Sequence, residues 1–505
     1  MVSDDHAVVA GTQQRRVSFG MADRRRSFEP LLSAIRDDYG AGAHGDDDEA
    51  APVAEIAVPT VSSEAKSLLF NAVPLTITFL LEFSLTVASV FAVGRLGDDY
   101  LAAVSVSSMT ANITGYALVA GVATCLDTLC AQAFGKGDVA AVGVVFVRCT
   151  LFLLALSAPI ALLWCNSERL LVAMMGADKR PVCALAADYL KVVSVGLPGF
   201  ILFENGKHFL QAQGIFHATT YILIVCAPLN VALTYTLVAH PRFGLGFIGA
   251  PWAVVITNWA MCALTYAYIF LVDGYQCWPK YSITDKIYWQ RWRRVIDLAI
   301  PGIVMVEAEW MAFEIITFTA ARLGTQVLAA QTILSTTCIL LYQVPFAIGI
   351  AATTRIAWYV GANRAAAAQV AARATMASSA GLGVINAAVL YRWRRWFAGL
   401  YTRDPEVIEI ASAAMAIAAW YQVSDYLSCA TGGILKGQGR QKISGYINVA
   451  CFYGVALPLA HWLGLSRHLG LNGLWMGMVV GLYLIAGLQY YFVRRSDWKQ
   501  IAFNC

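Results

Sequence analysis

AVPLTITFLLEFSLTVASVFAVGRLGDDYLAA, residues 72–103, and AIPGIVMVEAEWMAFEIITFTAARLGTQVLAA, residues 299–330, are two copies of one segment. Pro74 matches Pro301, Glu82 matches Glu309, Arg95-Leu96-Gly97 matches Arg322-Leu323-Gly324, and Leu101-Ala102-Ala103 matches Leu328-Ala329-Ala330, all 227 residues apart without a gap. In an apolar chain Leu and Ala coincide often, so Pro, Glu and Arg-Leu-Gly carry the argument. The chain reads as two copies of one unit. Each copy places a carboxylate at the same depth of a long apolar run.

Composition says what that unit is. Of 505 residues 58% are hydrophobic and 13% charged, where a soluble chain carries roughly 25% charged residues. Mean hydropathy is +0.60. Apolar runs of about 18 or more residues read as membrane spans, and twelve are expected, near 68–93, 101–124, 140–164, 181–203, 216–239, 248–272, 294–320, 326–350, 368–391, 407–430, 443–464 and 471–493. Each covers the roughly 30 Å of a hydrocarbon core. Residues 1–64 are polar and mixed in charge, the composition of a disordered cytosolic tail. A 65–275 N-lobe, a 276–293 cytosolic loop, a 294–495 C-lobe and a 496–505 tail follow. No apolar stretch resembling a signal peptide precedes the first span. The twelve cysteines are scattered with no Cys-x-x-Cys pair, as small apolar residues in a bilayer would be.

Roughly twice as many Lys and Arg fall on the side of the N-terminus as on the other, which puts both termini in the cytosol. Tyr391-Arg392-Trp393-Arg394-Arg395 is an exception on the far side. Six spans per half is an even number, so both halves share one orientation, related by a pseudo-twofold axis along the membrane normal. Gln213-Gly214 with Tyr221-Ile222 echoes Gln438-Gly439 with Tyr446-Ile447, and Gly246, Gly249 and Trp252 roughly echo Gly470, Gly473 and Trp475.

A carboxylate at mid-bilayer costs roughly 2.5–3.5 kcal/mol and persists by facing a cavity, by pairing, or by taking up a proton. Glu82 sits near the middle of the first span. The seventh holds Glu307, Glu309 and Glu314. At about 100° per residue, Glu307 and Glu314 share a face and Glu309 lies roughly 140° from Glu314. Asp425 lies in the tenth span, and Asp127 at the cytosolic end of the second, where a structural role is at least as good a reading. The structural alternative for each acid is helix packing, protonated or paired with Arg148 or Lys191. A group that takes a proton or a cation, but not both, is the minimum device for exchange.

Phe134-Gly135-Lys136-Gly137-Asp138 and Lys436-Gly437-Gln438-Gly439 read as turns whose glycines supply backbone freedom. No Gly-x-x-x-x-Gly-Lys-Ser/Thr, His-Glu-x-x-His or Gly-x-Ser-x-Gly occurs, which disfavours an ATP-driven pump and an intramembrane hydrolase. The chain is expected to be a transporter rather than an enzyme.

Three stretches resemble the multidrug and toxic compound extrusion (MATE) family. Asn112-Ile113-Thr114-Gly115 with Leu126-Asp127-Thr128-Leu129-Cys130-Ala131-Gln132-Ala133-Phe134-Gly135 is similar to a eukaryotic signature, in a form that hints at the fungal branch. Glu309-Trp310-Met311-Ala312-Phe313-Glu314 is similar to the family's Glu-Trp-Trp-x-Phe/Tyr-Glu. Asp425 followed by Gly432-Gly433 and Lys436-Gly437-Gln438-Gly439 is similar to its acid and glycine-rich turn. The resemblance covers residues 66–495. It implies an all-α protein of twelve transmembrane helices in two pseudo-symmetric six-helix lobes, V-shaped around a central cavity. It also implies an antiporter exchanging a small organic compound, cationic or amphipathic, for H+, with Na+ as the alternative. Glu309, Glu314 and Asp425 then carry cation coupling or substrate binding. Glu82 and Glu307 depart from plant relatives and add negative charge to the candidate site.

No cofactor beyond the coupling ion, no metal and no nucleic-acid partner is expected. The chain is expected to act as a monomer in a plasma or vacuolar membrane. Arg15-Arg16-Val17-Ser18 and Arg24-Arg25-Arg26-Ser27 resemble basic kinase sites. The rival readings are a major-facilitator protein, whose charged loop between spans two and three is absent here, a lipid-linked or metabolite flippase of the wider fold group, and a non-transporting receptor. Only a transporter gives a reason for the duplicated acids.

Overall fold

The computed structural model describes residues 58–240, 244–282, 284–290 and 292–503. Ser18 and Ser27 lie outside them, as does the tail up to residue 57. The N-lobe comprises α1 (Val61–Gly94), α2, α3 (Val139–Cys165), α4 (Arg180–Ala212), α5 (His217–Ala239) and α6 (Gly249–Leu271). Within α2 the segments Asp98–Ala111 and Ala117–Gly135 are joined by a π-helical turn, Asn112–Tyr116. The C-lobe comprises α7 (Arg293–Ala321), α8 (Thr325–Gly361), α9 (Ala365–Gly399), α10 (Pro405–Gly437), α11 (Gln441–Ser466, with two π-helical turns) and α12 (Gly470–Arg494). All twelve expected spans are helices. Eleven are long and apolar enough to cross a membrane. The twelfth, α7, falls short because charge interrupts its apolar run, including three glutamates in its middle.

The repeat is now visible as backbone geometry. Gly97 and Gly324 begin α2 and α8 at φ 134° and 123°, conformations that only glycine adopts without strain. Around them the turns match bond for bond. Leu96 N donates to Val93 O at 2.9 Å and Leu323 N to Ala320 O at 3.0 Å. Leu101 N donates to Gly97 O at 3.1 Å and Leu328 N to Gly324 O at 3.0 Å. Gly214 and Gly439 have φ 80° and 73°, and Gly246 and Gly470 have φ 62° and 58°. One further pair escaped the sequence comparison because the residue types differ: Gly137 at φ 77° corresponds to Asn363 at φ 55°, asparagine being the side chain that best tolerates this region.

Two boundaries move. The tail expected to run to residue 64 ends earlier, because Thr60 caps α1 through its hydroxyl, which accepts from Ser63 N at 3.3 Å. The expected C-terminal tail contains a helix, Trp498–Phe503, packed on α8 and α9 with Trp498 and Ala502 buried. The inter-lobe loop is anchored rather than loose. Trp278 packs its ring among Phe146, Phe209, Tyr266 and Phe270 of the N-lobe, and Arg148 donates to Ile287 O.

The lobes meet at the end where α1 and α7 begin and α2 and α8 finish. Backbones touch there, because a Cβ on Gly121 or Gly302 would collide with the opposing helix, as would one on Gly135 or Gly361. Thr128 Oγ1 donates to Lys436 O at 2.8 Å, Gln132 Nε2 to Gly437 O at 3.2 Å, and Trp358 Nε1 to Ala212 O at 2.8 Å. An ion pair joins the same seam. Arg355 of α8 forks onto Glu64 of α1, Nε to Oε2 at 2.8 Å and Nη2 to Oε1 at 2.7 Å, and Tyr359 donates to Glu64 Oε1 at 2.6 Å. Glu64 is 3% exposed and Arg355 8%. A bidentate pair of this kind is among the strongest polar contacts, and separating its charges inside protein costs several kcal/mol.

Candidate ion and substrate site

In the C-lobe, α7 and α10 bring Glu309 and Asp425 within electrostatic reach of each other. Tyr342 of α8 and Lys436, near the end of α10, lie close to Glu309. Asp425 is 1% exposed, and its Oδ2 meets no hydrogen-bond donor among the described residues. Tyr342, Tyr421 and Cys429 lie close around it. An ionised carboxylate here is expensive unless something positive joins it. A proton or a bound cation supplies that charge.

The other two glutamates of α7 do not join this pair. Glu307 lies near Tyr453 of α11, and its buried Oε1 has no partner among the described residues. Glu314 is half-buried and shares the Glu307 side of the helix by periodicity. The structure therefore brings together Glu309 and Asp425, and leaves Glu307 and Glu314 apart from them.

The N-lobe holds a chain of paired charges. Lys207 Nζ of α4 lies 3.0 Å from Glu82 Oε1 of α1 and 2.7 Å from Glu204 Oε1. His208 Nδ1 lies 2.5 Å from Asp127 Oδ1 of α2, while its Nε2 lies 3.7 Å from Glu204 Oε2. An imidazolium would satisfy both flanking carboxylates, and a neutral ring only one. Lys207 is 3% exposed and Asp127 2%.

Three readings are corrected here. Asp127 does not sit at a wet helix end, because α2 runs on to Gly135 and is buried throughout residues 121–132. The acids do not pair with Arg148 or Lys191: Arg148 binds the loop backbone, and Lys191 pairs with Asp188 at 2.8 Å. Glu204, Lys207 and His208 were missed because the fourth span was expected to stop at 203, just where charge resumes. The i, i+3, i+4 spacing of these three on one helix face was the available signal.

An aromatic path joins the two charge clusters. The Lys207 ammonium lies 5.4 Å from the Phe79 ring centroid. Phe79 packs at 4.9 Å on Phe346 of α8, Phe346 stacks at 5.4 Å on Tyr342, and Tyr342 reaches Glu309. Both clusters therefore touch the seam between the lobes.

Comparison with known proteins decides the family. The MatE family model matches the chain twice, over residues 74–236 and 301–462, opening on the two prolines of the repeat. The chain belongs to the MATE family. It is 40% identical to an uncharacterized transporter of Saccharomyces cerevisiae over 97% of this chain and 68% of that one. It is 30% identical to multidrug and toxin extrusion protein 2 of Mus musculus over 88% of this chain and 76% of the mouse protein. The crystal structure of the eukaryotic MATE transporter AtDTX14 superposes with a TM-score of 0.81 at 25% identity, covering 88% of this chain and 98% of that one. This MATE protein is thus a multi-pass integral membrane transporter of eukaryotic, fungal type, and not an enzyme. Its twelve helices agree with the MATE fold.

Proposed function

We propose that this MATE transporter is a secondary active antiporter that exports small organic cations or amphipathic compounds from the cytosol in exchange for H+. The observation that carries the reading is the meeting of Glu309 with a buried Asp425 that has an undonated oxygen. One site that prefers either a proton or a cationic ligand supplies the differential affinity alternating access requires. The name of the mouse relative, a multidrug and toxin extrusion protein, supports efflux of organic compounds.

The excess of Lys and Arg assigns the closed end, with Glu64 and Arg355, to the cytosol. Protonation of Glu309 and Asp425 from the acidic side then releases substrate. Deprotonation after the lobes reverse restores an anionic site toward the cytosol. Substrate affinity at equilibrium therefore falls as pH falls, because protons compete for the same oxygens.

The test is uptake of a fluorescent organic cation into proteoliposomes that are acidic inside. Uptake should grow with the pH difference and collapse when a protonophore dissipates it. Binding without flux would overturn antiport in favour of a receptor, and flux indifferent to pH but driven by Na+ would overturn H+ coupling. A fluorescent tag on the full chain would distinguish the plasma membrane from the vacuole.

A further inference from the structure

Phe79 and Glu82 of α1 and Phe203 and Glu204 of α4 form a box around the Lys207 ammonium. Nζ sits 3.0 Å and 2.7 Å from the two carboxylates and 5.4 Å and 5.6 Å from the Phe79 and Phe203 centroids. Carboxylates that accept N–H bonds, combined with aromatic faces within about 6 Å, make the acceptor set that recognises an alkylammonium. Here the chain fills that site with its own side chain, delivered on a flexible four-carbon stem. The network stays short of positive charge even so. Among the described residues the bases beside Glu82, Glu204 and Asp127 are Lys207 and His208, two bases for three carboxyl groups.

We propose that the N-lobe contains a primary-ammonium binding site of which Lys207 is the tethered occupant, and that this tether is a specificity-determining element. With Lys207 in place the site is loaded, so a free organic cation is directed to the C-lobe acids. Glu82 is the member that can be shared with an incoming ligand, since its side chain is 25% exposed while those of Glu204 and Lys207 are 9% and 4% exposed.

The site is tested by emptying it. Lys207→Ala removes three carbons and the ammonium, so propylammonium is the matching free ligand. The readout is the unfolding temperature of the purified full-length variant, which a ligand of the folded state raises with its concentration. Lys207→Ala should unfold at a lower temperature than the unsubstituted protein. Propylammonium should restore much of the loss at millimolar concentration, methylammonium less, and tetramethylammonium, which has no N–H donor, none. If Lys207→Ala is recovered folded only when propylammonium is present during extraction, that too supports the site. The triple variant Lys207→Ala/Glu82→Gln/Glu204→Gln should fold and show no amine response. An equal response to all three amines, no response, or failure to recover the protein with every amine would overturn the proposal. The readout needs no transport, so it stands or falls apart from the antiport reading.

Discussion

In the N-lobe each buried carboxylate faces a base: Glu82 and Glu204 share Lys207, and Asp127 meets His208. In the C-lobe Asp425 has an oxygen that no described donor reaches, Glu307 has another, and Lys436 is the base that Glu309 senses. The halves descend from one pattern, with Glu82 and Glu309 at equivalent positions, yet one glutamate is tied down and the other left open. Paired charge holds helices in place, and deleting a partner strands the other charge. Open charge stabilises nothing and survives where it binds something that comes and goes. Acids of the two lobes should therefore fail in opposite ways, through stability in the N-lobe and through transport in the C-lobe.

The largest expected effect is in the C-lobe. Asp425→Asn removes one intramembrane charge, worth roughly 2.5–3.5 kcal/mol, which corresponds to about 100-fold in affinity or rate. Transport in proteoliposomes should fall by about that factor while the unfolding temperature holds or rises. A destabilised Asp425→Asn variant with intact transport per folded molecule would make Asp425 a packing residue.

Next comes the seam between the lobes. Arg355→Met leaves Glu64 buried without a counter-charge, held only by the Tyr359 hydroxyl among the described residues, and should cost about 3–5 kcal/mol in chemical denaturation. Adding Glu64→Gln should recover most of that. Full stability in the single variant would mean that Glu64 finds water or another partner, and that the pair does not hold the lobes closed.

A smaller effect is expected where the clusters connect. Phe346→Ala takes away the ring between Phe79 and Tyr342, and truncating a partly buried Phe should cost about 2–3 kcal/mol. The sharper readout is the ratio of protons moved to substrate moved, which should fall if the aromatic path helps hold Glu309. An unchanged ratio would confine Phe346 to packing.

The smallest transport effect belongs to Glu82→Gln. It keeps an acceptor for Lys207 and removes one negative charge, so a panel of organic cations should show an altered order of preference with activity retained. Complete loss of pH-driven transport would erase the difference between the lobes.

Much of the scaffold was legible because its signals are local. Proline, a lone acid and a glycine that must adopt positive φ recur at fixed spacing, and their turns coincide in the structure. Glu309 and Asp425 stood out as acids inside apolar runs. The N-lobe network did not, because hydropathy ends a span where charge begins. Glu204, Lys207 and His208 lie in the last turns of α4, buried against α1 and α2 of their own lobe rather than by lipid. Glu64 and Arg355 were invisible for a related reason. Each reads as a solvated charge beyond a span, and nothing local connects residues 291 positions apart.

The central claim is that open acids in the C-lobe couple ions to substrate. Its most direct test is pH-driven uptake of a fluorescent organic cation by Glu309→Gln proteoliposomes, normalised to folded protein. The account predicts uptake near the protein-free background whatever the pH difference, with an unfolding temperature no lower than that of the unsubstituted chain. Uptake that still rises with the pH difference as in the unsubstituted protein would contradict it.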